Sequence, residues 1–477
     1  MTDPTAPTPR RLAGALLLVG LLAAAAGALG IGVRSTYGGH AAVDEPQYLL
    51  TALSLAEDRS PDIADELAAR RFLPYHDADL PVQTEPGADG RQLSPHDPGL
   101  PLLLAGPVWL GGWVAAKAAL AGVGGLLAAL TLWVAVRRFG VPLPVAGPGV
   151  ALAAGSAPLA VYAQQVYPEL PAALATMVAV AALTGPLRRW PALAVLAAAV
   201  VALPWLSVKY VPVAAALAAA GAVRAGRQPG GRQRAAALAG VLALAGAAYL
   251  VAHRLVWGGW TVYASGDTFA AGGEFGVVGF HPDYPGRSIR LLGLLVDRDF
   301  GLAAWQPAWL LLVPAAAALL RSRPAGWLVL AAPLAAGWLS ATYLAVTMHG
   351  FWWPGRQLVV VLPVAVLVVL HWLARLRPLW TGLAAGLALT GTGYYAAVLA
   401  AGYRRNTTWV AAPDRTDLHP PIRWLLPADR VLSGVDRLEL ALWTVALLAT
   451  AAAAAVSAGH GRSTARPTAR PAAVSRT

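Results

Sequence analysis

The chain has 477 residues, of which 57% are hydrophobic and only 13% charged, and its formal net charge is +12. Soluble domains carry roughly 25% charged residues, so this chain lacks the polar surface that a water-facing body needs, and lipid is the solvent that remains. It has no cysteine, which excludes disulfides, thiolate nucleophiles and Cys-ligated zinc. The positive charge is not a nucleic-acid footprint, because the arginines sit in short clusters between apolar runs, the positive-inside pattern of membrane proteins. The Ala and Arg richness points to a GC-rich bacterial genome.

Taken in chain order, the first apolar run, 12–33, is long for a cleaved signal peptide, and Gly30–Arg34 makes a poor cleavage site. It reads as a first transmembrane helix. Basic clusters follow at Arg137-Arg138, Arg188-Arg189, Arg224–Arg234, Arg321/Arg323, Arg375/Arg377 and from Arg462 onward. Placing these and Arg10-Arg11 on the cytoplasmic side divides the chain into twelve spans. They are 12–33, 113–136, 142–163, 168–185, 190–206, 211–223, 235–257, 302–320, 325–346, 357–374, 379–401 and 437–457. The expectation is an all-α polytopic bundle of about twelve spans in a bacterial cytoplasmic membrane, with both termini inside. Of the 24 Asp and Glu residues, all but Asp3 then fall in outer segments: 34–98, Glu169, 258–299 and 402–439.

The largest outer segment is 34–112. A helix is expected from Glu45 to about Asp58, with Asp44 as N-cap and Gln47 completing a capping box. Tyr48, Leu49, Ala52, Leu53 and Leu55 give it an apolar face that suits the membrane surface. Residues 82–95 are Pro/Gly-rich and expected to be irregular, while 99–111 are too short to span and read as a juxtamembrane helix. One transmembrane domain, 1–458, precedes a low-complexity basic cytoplasmic tail, 459–477, expected to be disordered.

Four groups of residues stand out for chemistry. Asp44-Glu45 follows the first span at a helix N-terminus, where the dipole keeps a carboxylate ionised and able to act as a general base; the plainer role is capping. Ser94–Pro101 carries His96 and Asp97 and returns the loop to the membrane. Glu169 is an isolated acid at the edge of apolar helices, which calls for a partner or a function. Lys117, Lys209, Arg298 and Arg356 are cations on the outer face, where they are disfavoured unless an anion such as a lipid phosphate holds them; snorkelling, with Trp352 and Trp353 as belt aromatics, is the plainer role. A divalent metal, with Asp44, His76 and His96 as candidate ligands, is the one cofactor left open, and two separated His-Asp pairs are not a specific signal for it.

The combination resembles the polytopic glycosyltransferases of the C superfold, whose relatives include protein O-mannosyltransferases, aminoarabinose transferases and family-39-like bacterial proteins. The resemblance rests on Asp44-Glu45-Pro46-Gln47-Tyr48-Leu49, Ser94–Pro101, Tyr167-Pro168-Glu169, the Lys209 turn, Asp297–Leu302 and Trp353–Arg356. It implies a sugar donor on polyprenyl phosphate, an envelope acceptor and a membrane-lipid setting, with no nucleic acid. By the same resemblance Asp44 is the catalytic base for inverting transfer, with Glu45 beside it. Tyr48, His96, Asp97 and Glu169 serve substrate binding, and Lys209, Arg298 and Arg356 hold the departing phosphate. The chain lacks the large soluble domain that many of these enzymes carry. Two rival readings are a secondary transporter or lipid-linked sugar flippase, and a non-catalytic relative. The collection of acids in one outer loop, away from span interiors, favours surface chemistry over transport.

Overall fold

The computed structural model describes residues 7–81, 83, 84, 86, 87, 89–266, 282–410, 420–428 and 433–463, with no side-chain description beyond 459. Its described residues fold as helices with only isolated bridges between extended residues. The elements begin with α1 (Pro9–Ala28), α2 (Glu45–Glu57), α3 (Ala64–Ala68), α4 (Gly99–Phe139), α5 (Leu143–Ala154) and α6 (Leu159–Tyr162). Next come α7 (Glu169–Leu183), α8 (Trp190–Leu206), α9 (Val211–Gly226), α10 (Gly231–Val256), α11 (Tyr284–Arg287) and α12 (Arg290–Val296). The last are α13 (Leu302–Trp305), α14 (Leu312–Ser322), α15 (Trp327–Leu339), α16 (Leu362–Leu373), α17 (Pro378–Tyr403) and α18 (Gly434–Ser463).

Among the described residues, eight helical stretches are long and apolar enough to cross a membrane, and four shorter apolar helices lie between them. Each of the twelve sequence-predicted spans falls on one of these. The protein is therefore a multi-span helical membrane protein. Its long apolar side chains have nowhere else to go: Leu17, Leu21, Leu244, Leu255, Leu442 and Val445 point outward, more than half exposed. Lipid solvates such surface, while the helix satisfies its own backbone. The centre is formed by α4 and by the stretch Arg356–Leu373, whose most apolar window is 78% buried.

Several expectations change in detail. The span 142–163 breaks between α5 and α6, where Pro158 withholds a backbone donor and disfavours helix at the residue before it. The span 302–320 is interrupted at Gln306, whose extended backbone (φ −141°) separates α13 from a 3-10 turn at Pro307–Leu311. The juxtamembrane and second transmembrane helices join as α4 but kink at Gly111 and Gly112, the latter at φ 61°, ψ −151°, a region open essentially to glycine alone. α18 continues to Ser463, five residues into the expected tail; the remainder of that tail, 464–477, lies outside the described residues, as do positions 82, 85 and 88 of the segment expected to be irregular and 267–281, 411–419 and 429–432 of the loops expected outside.

Two readings of α2 are corrected. The expectation is a helix lying on the membrane by one apolar face, yet residues 45–52 are all buried, so its first two turns are enclosed on every side, with α4 among the neighbours. Asp44 is not a side-chain cap: its backbone is already in the helical region (φ −86°, ψ −20°) and its carboxylate makes no capping bond. Capping needs an extended backbone at that position.

Candidate functional site

The freed Asp44 carboxylate turns to Arg356. Arg356 Nη2 donates to Asp44 Oδ2 at 2.9 Å, and Arg356 Nε donates to Glu169 Oε1 at 2.8 Å. Lys209 Nζ reaches the same Glu169 oxygen at 2.7 Å. Four charged groups, from the turn before α2, the start of α7, the turn between α8 and α9 and the entry to α16, thus meet at one end of the bundle. The opposing charges balance in number. Glu169 and Arg356 are buried, whereas the side chains of Asp44 and Lys209 are 20% and 30% exposed. The cluster is therefore partly accessible through Asp44 and Lys209.

Local structure holds this geometry. Val43, just before Asp44, has φ 57°, a left-handed conformation that is costly for a β-branched residue; Gln83 Nε2 donates to its carbonyl at 3.0 Å. Residues 156–168, between the end of α5 and α7, are buried throughout, and irregular backbone among membrane helices is tolerated where protein or a cavity encloses it. That segment delivers Tyr167, whose ring lies 4.0 Å below the Arg356 guanidinium. Tyr48 stands edge-on to Tyr167 and stacks on His96 at 4.6 Å. His96 Nε2 lies 3.1 Å from Gln83 Oε1.

Burial, the largest single influence, would raise the Asp44 carboxyl, but the surrounding cationic groups, Arg356 foremost, together hold it below the usual range. Burial keeps His96 below its ordinary value despite the pull of Asp44, so it stands neutral near pH 7. Several buried polar atoms near the cluster have no protein partner: Glu169 Oε2, the Tyr167 and Tyr210 hydroxyls and Gln47 Oε1. Buried groups of this kind ordinarily find a partner, so the site has spare capacity for a polar ligand.

Other expected residues are distributed differently. Glu45 accepts from Val166 N and stands 3.4 Å from Lys117 Nζ with Oε1, and with Oε2 it accepts from Ser35 Oγ at 2.6 Å and Ala42 N. Four partners fill a carboxylate's acceptor sites, so its geometry makes it a structural knot instead of a second reacting acid. Asp97 accepts from Val208 N at 2.9 Å and from the Tyr249 hydroxyl at 2.7 Å, and lies 3.4 Å from His253 Nε2. It anchors the turn carrying Lys209, while its neighbour His96 faces Tyr48. Arg298 joins a separate network with the Arg423 and Leu426 carbonyls, Asp436 and Glu439, so the cationic rim near Asp44 consists of Lys209 and Arg356. Trp353, expected in an interfacial belt, is buried against Trp305 and Trp409.

The metal candidates do not converge. His76 Nδ1 pairs with the Ala78 carbonyl, and among the described residues the trio whose ligand atoms approach one another is Asp58, Asp65 and Glu66. An apolar cavity of about 390 Å³ lies between α5, α16, α17 and the turn at Gln306, and none of the clustered charges lines it. Sequence reading missed Tyr167 as the platform for Arg356 and the Tyr249–His253 support of Asp97. The Tyr-Pro-Glu order offered the one local signal for the first, and His253, the single histidine of α10, offered one for the second. No protein-family profile, curated protein or solved structure matches the chain.

Proposed function

We propose that this protein is a membrane glycosyltransferase that moves a sugar from a polyprenyl-phosphate donor to an extracytoplasmic acceptor, with twelve spans and both termini cytoplasmic. The observation that carries the reading is the convergence of Asp44, Glu169, Lys209 and Arg356 beside partnerless buried hydroxyls. Asp44 takes the proton from an acceptor hydroxyl as its oxygen bonds to the anomeric carbon with inversion. The glycosyl C–O bond breaks, and its electron pair leaves with the polyprenyl phosphate, whose charge Lys209 and Arg356 neutralise.

The pairing of Asp44 with Arg356 gives this scheme a sequence. A donor phosphate competes with Asp44 for the guanidinium, and each step away from Arg356 makes the Asp44 carboxylate more basic. The base is then strongest when donor is bound. Glu169 keeps both cations in place throughout, and Tyr48, Tyr167 and His96 form the wall.

Transfer from a labelled polyprenyl-phosphate sugar by purified protein in lipid, comparing wild type with Asp44→Asn, tests the reading. The expected loss is about 10²–10⁴-fold; turnover that survives the substitution refutes the base assignment. One observation favours the rival, ion-coupled transport: the Glu45–Lys117 pair between α2 and α4 is wholly buried, as intramembrane ion relays are. Substrate-driven flux in vesicles without sugar transfer would establish that rival instead.

A further inference from the structure

A second carboxylate cluster lies at the far end of α2 from Asp44. Asp58 closes that helix and Asp65 and Glu66 belong to α3, and one carboxylate oxygen from each lies within 4.8 Å of the other two. Glu66 is 2% exposed, and neither of its oxygens has a hydrogen-bond partner. The ion pairs of this loop, Arg34–Asp77, Arg70–Asp79, Arg71–Glu57 and Arg91–Asp89, leave all three acids out. Arg71, which lies near enough to feel Glu66 and Asp58, is committed to Glu57 by two hydrogen bonds of 2.8 and 3.1 Å.

The backbone around the trio is fixed before any ligand arrives. Ser54 Oγ bonds the carbonyls of Ser60 and Asp62, and Asp62 Oδ1 accepts from Ala64 N and Gln92 N. A buried carboxylate without a donor loses its hydration uncompensated. A cation or a shared proton relieves that cost.

We propose that Asp58, Asp65 and Glu66 bind a hard divalent cation of the calcium type. The donors are all oxygen, and two oxygens on opposite sides of an ion with bonds of 2.3–2.6 Å stand about 4.8 Å apart. The exposed positions of Asp58 and Asp65 leave room for water to complete the shell. Such an ion ties the end of α2 to α3 and so steadies the helix that Asp44 immediately precedes. The site stands independently of the glycosyltransferase reading. A proton shared by Glu66 and Asp65 is the competing occupant, since burial and Asp65 together push the Glu66 carboxyl up to about 7.

The test uses full-length protein in lipid nanodiscs, stripped with EDTA and titrated with CaCl₂ in mildly alkaline buffer, followed by calorimetry and thermal unfolding. Saturable binding of one Ca²⁺ with a rise in Tm is expected, with Mg²⁺ weaker. Glu66→Gln and Asp65→Asn each weaken binding by at least about tenfold, and Asp79→Asn leaves it unchanged. Glu66→Gln also removes the uncompensated buried charge, so its metal-free Tm is expected to match or exceed wild type; misfolding is thereby distinguished from loss of a ligand. Absence of saturable Ca²⁺ binding in wild type, or binding untouched in both variants, overturns the site, and a Tm that responds to pH near 7 but not to Ca²⁺ assigns the trio to a proton.

Discussion

Arg356 is the residue on which the candidate site depends, because its planar fork satisfies two carboxylates from different helices at once. Arg356→Ala removes the partner of Asp44 and leaves Glu169 with Lys209 alone, and is expected to cost about 3–5 kcal/mol, measured by unfolding in lipid; Arg356→Lys recovers part of this, since a single ammonium reaches one carboxylate well. The titrations have definite signs. The lowered pKa of Asp44 contributes stability that is complete above the ordinary carboxylate value, about pH 4, and is lost as pH falls through the folded value. His96 and His40 are likewise depressed, each mainly by burial. Their share is complete above about pH 6.5 and declines as pH falls below it. A pH series of thermal unfolding is expected to show that decline, and His96→Gln to make it shallower.

At the level of elements, small residues decide where helices touch. α1 crosses α4 so closely that a Cβ at Gly125 would stand 2.6 Å from the Gly20 carbonyl oxygen. Membrane helices associate through such approaches because lipid supplies no hydrophobic drive between them. Gly125→Val is therefore expected to destabilise by about 1–3 kcal/mol in a lipid-based unfolding assay. The kink of α4 is a second test. Gly112→Ala has open space around it but a backbone that L-residues rarely adopt, and is expected to cost about 1–3 kcal/mol. Gly106→Ala, in the same helix with open space and no positive φ, is expected to be neutral or stabilising by about 0.5–1 kcal/mol. Equal effects of these two substitutions would contradict the assigned kink.

For the whole molecule, segments far apart in sequence meet in a pattern that sidedness explains. Asp44, Glu169, Lys209 and Arg356, all assigned outside, contact one another, while Arg224, assigned inside, bonds the Gly185 carbonyl of another inner loop. The chain has no cysteine, so single cysteines can be placed without background. In the proposed twelve-span arrangement Asp79→Cys is labelled by an impermeant thiol reagent from the outer face and Arg227→Cys only after permeabilisation. The reverse pattern would invert the topology.

Apolar runs and arginine clusters alone determined that this is a multi-span helical membrane protein and where its helices fall, because hydropathy and the backbone's need for internal hydrogen bonds act locally in lipid. Composition also singled out Asp44, Glu169, Lys209 and Arg356, since charge is scarce in such a chain and each instance stands out. Partnership was not legible. Asp44 and Glu45 are neighbours, yet one is partly exposed and pairs with the Arg356 guanidinium, and the other is sealed among Ser35, Ala42, Lys117 and Val166. Arg298 and Arg356 look alike in sequence and belong to different networks. Only the tertiary structure decided these, because the energy of a buried charge depends on which groups the packing brings within a few ångströms of it, and helices hundreds of residues apart supply them.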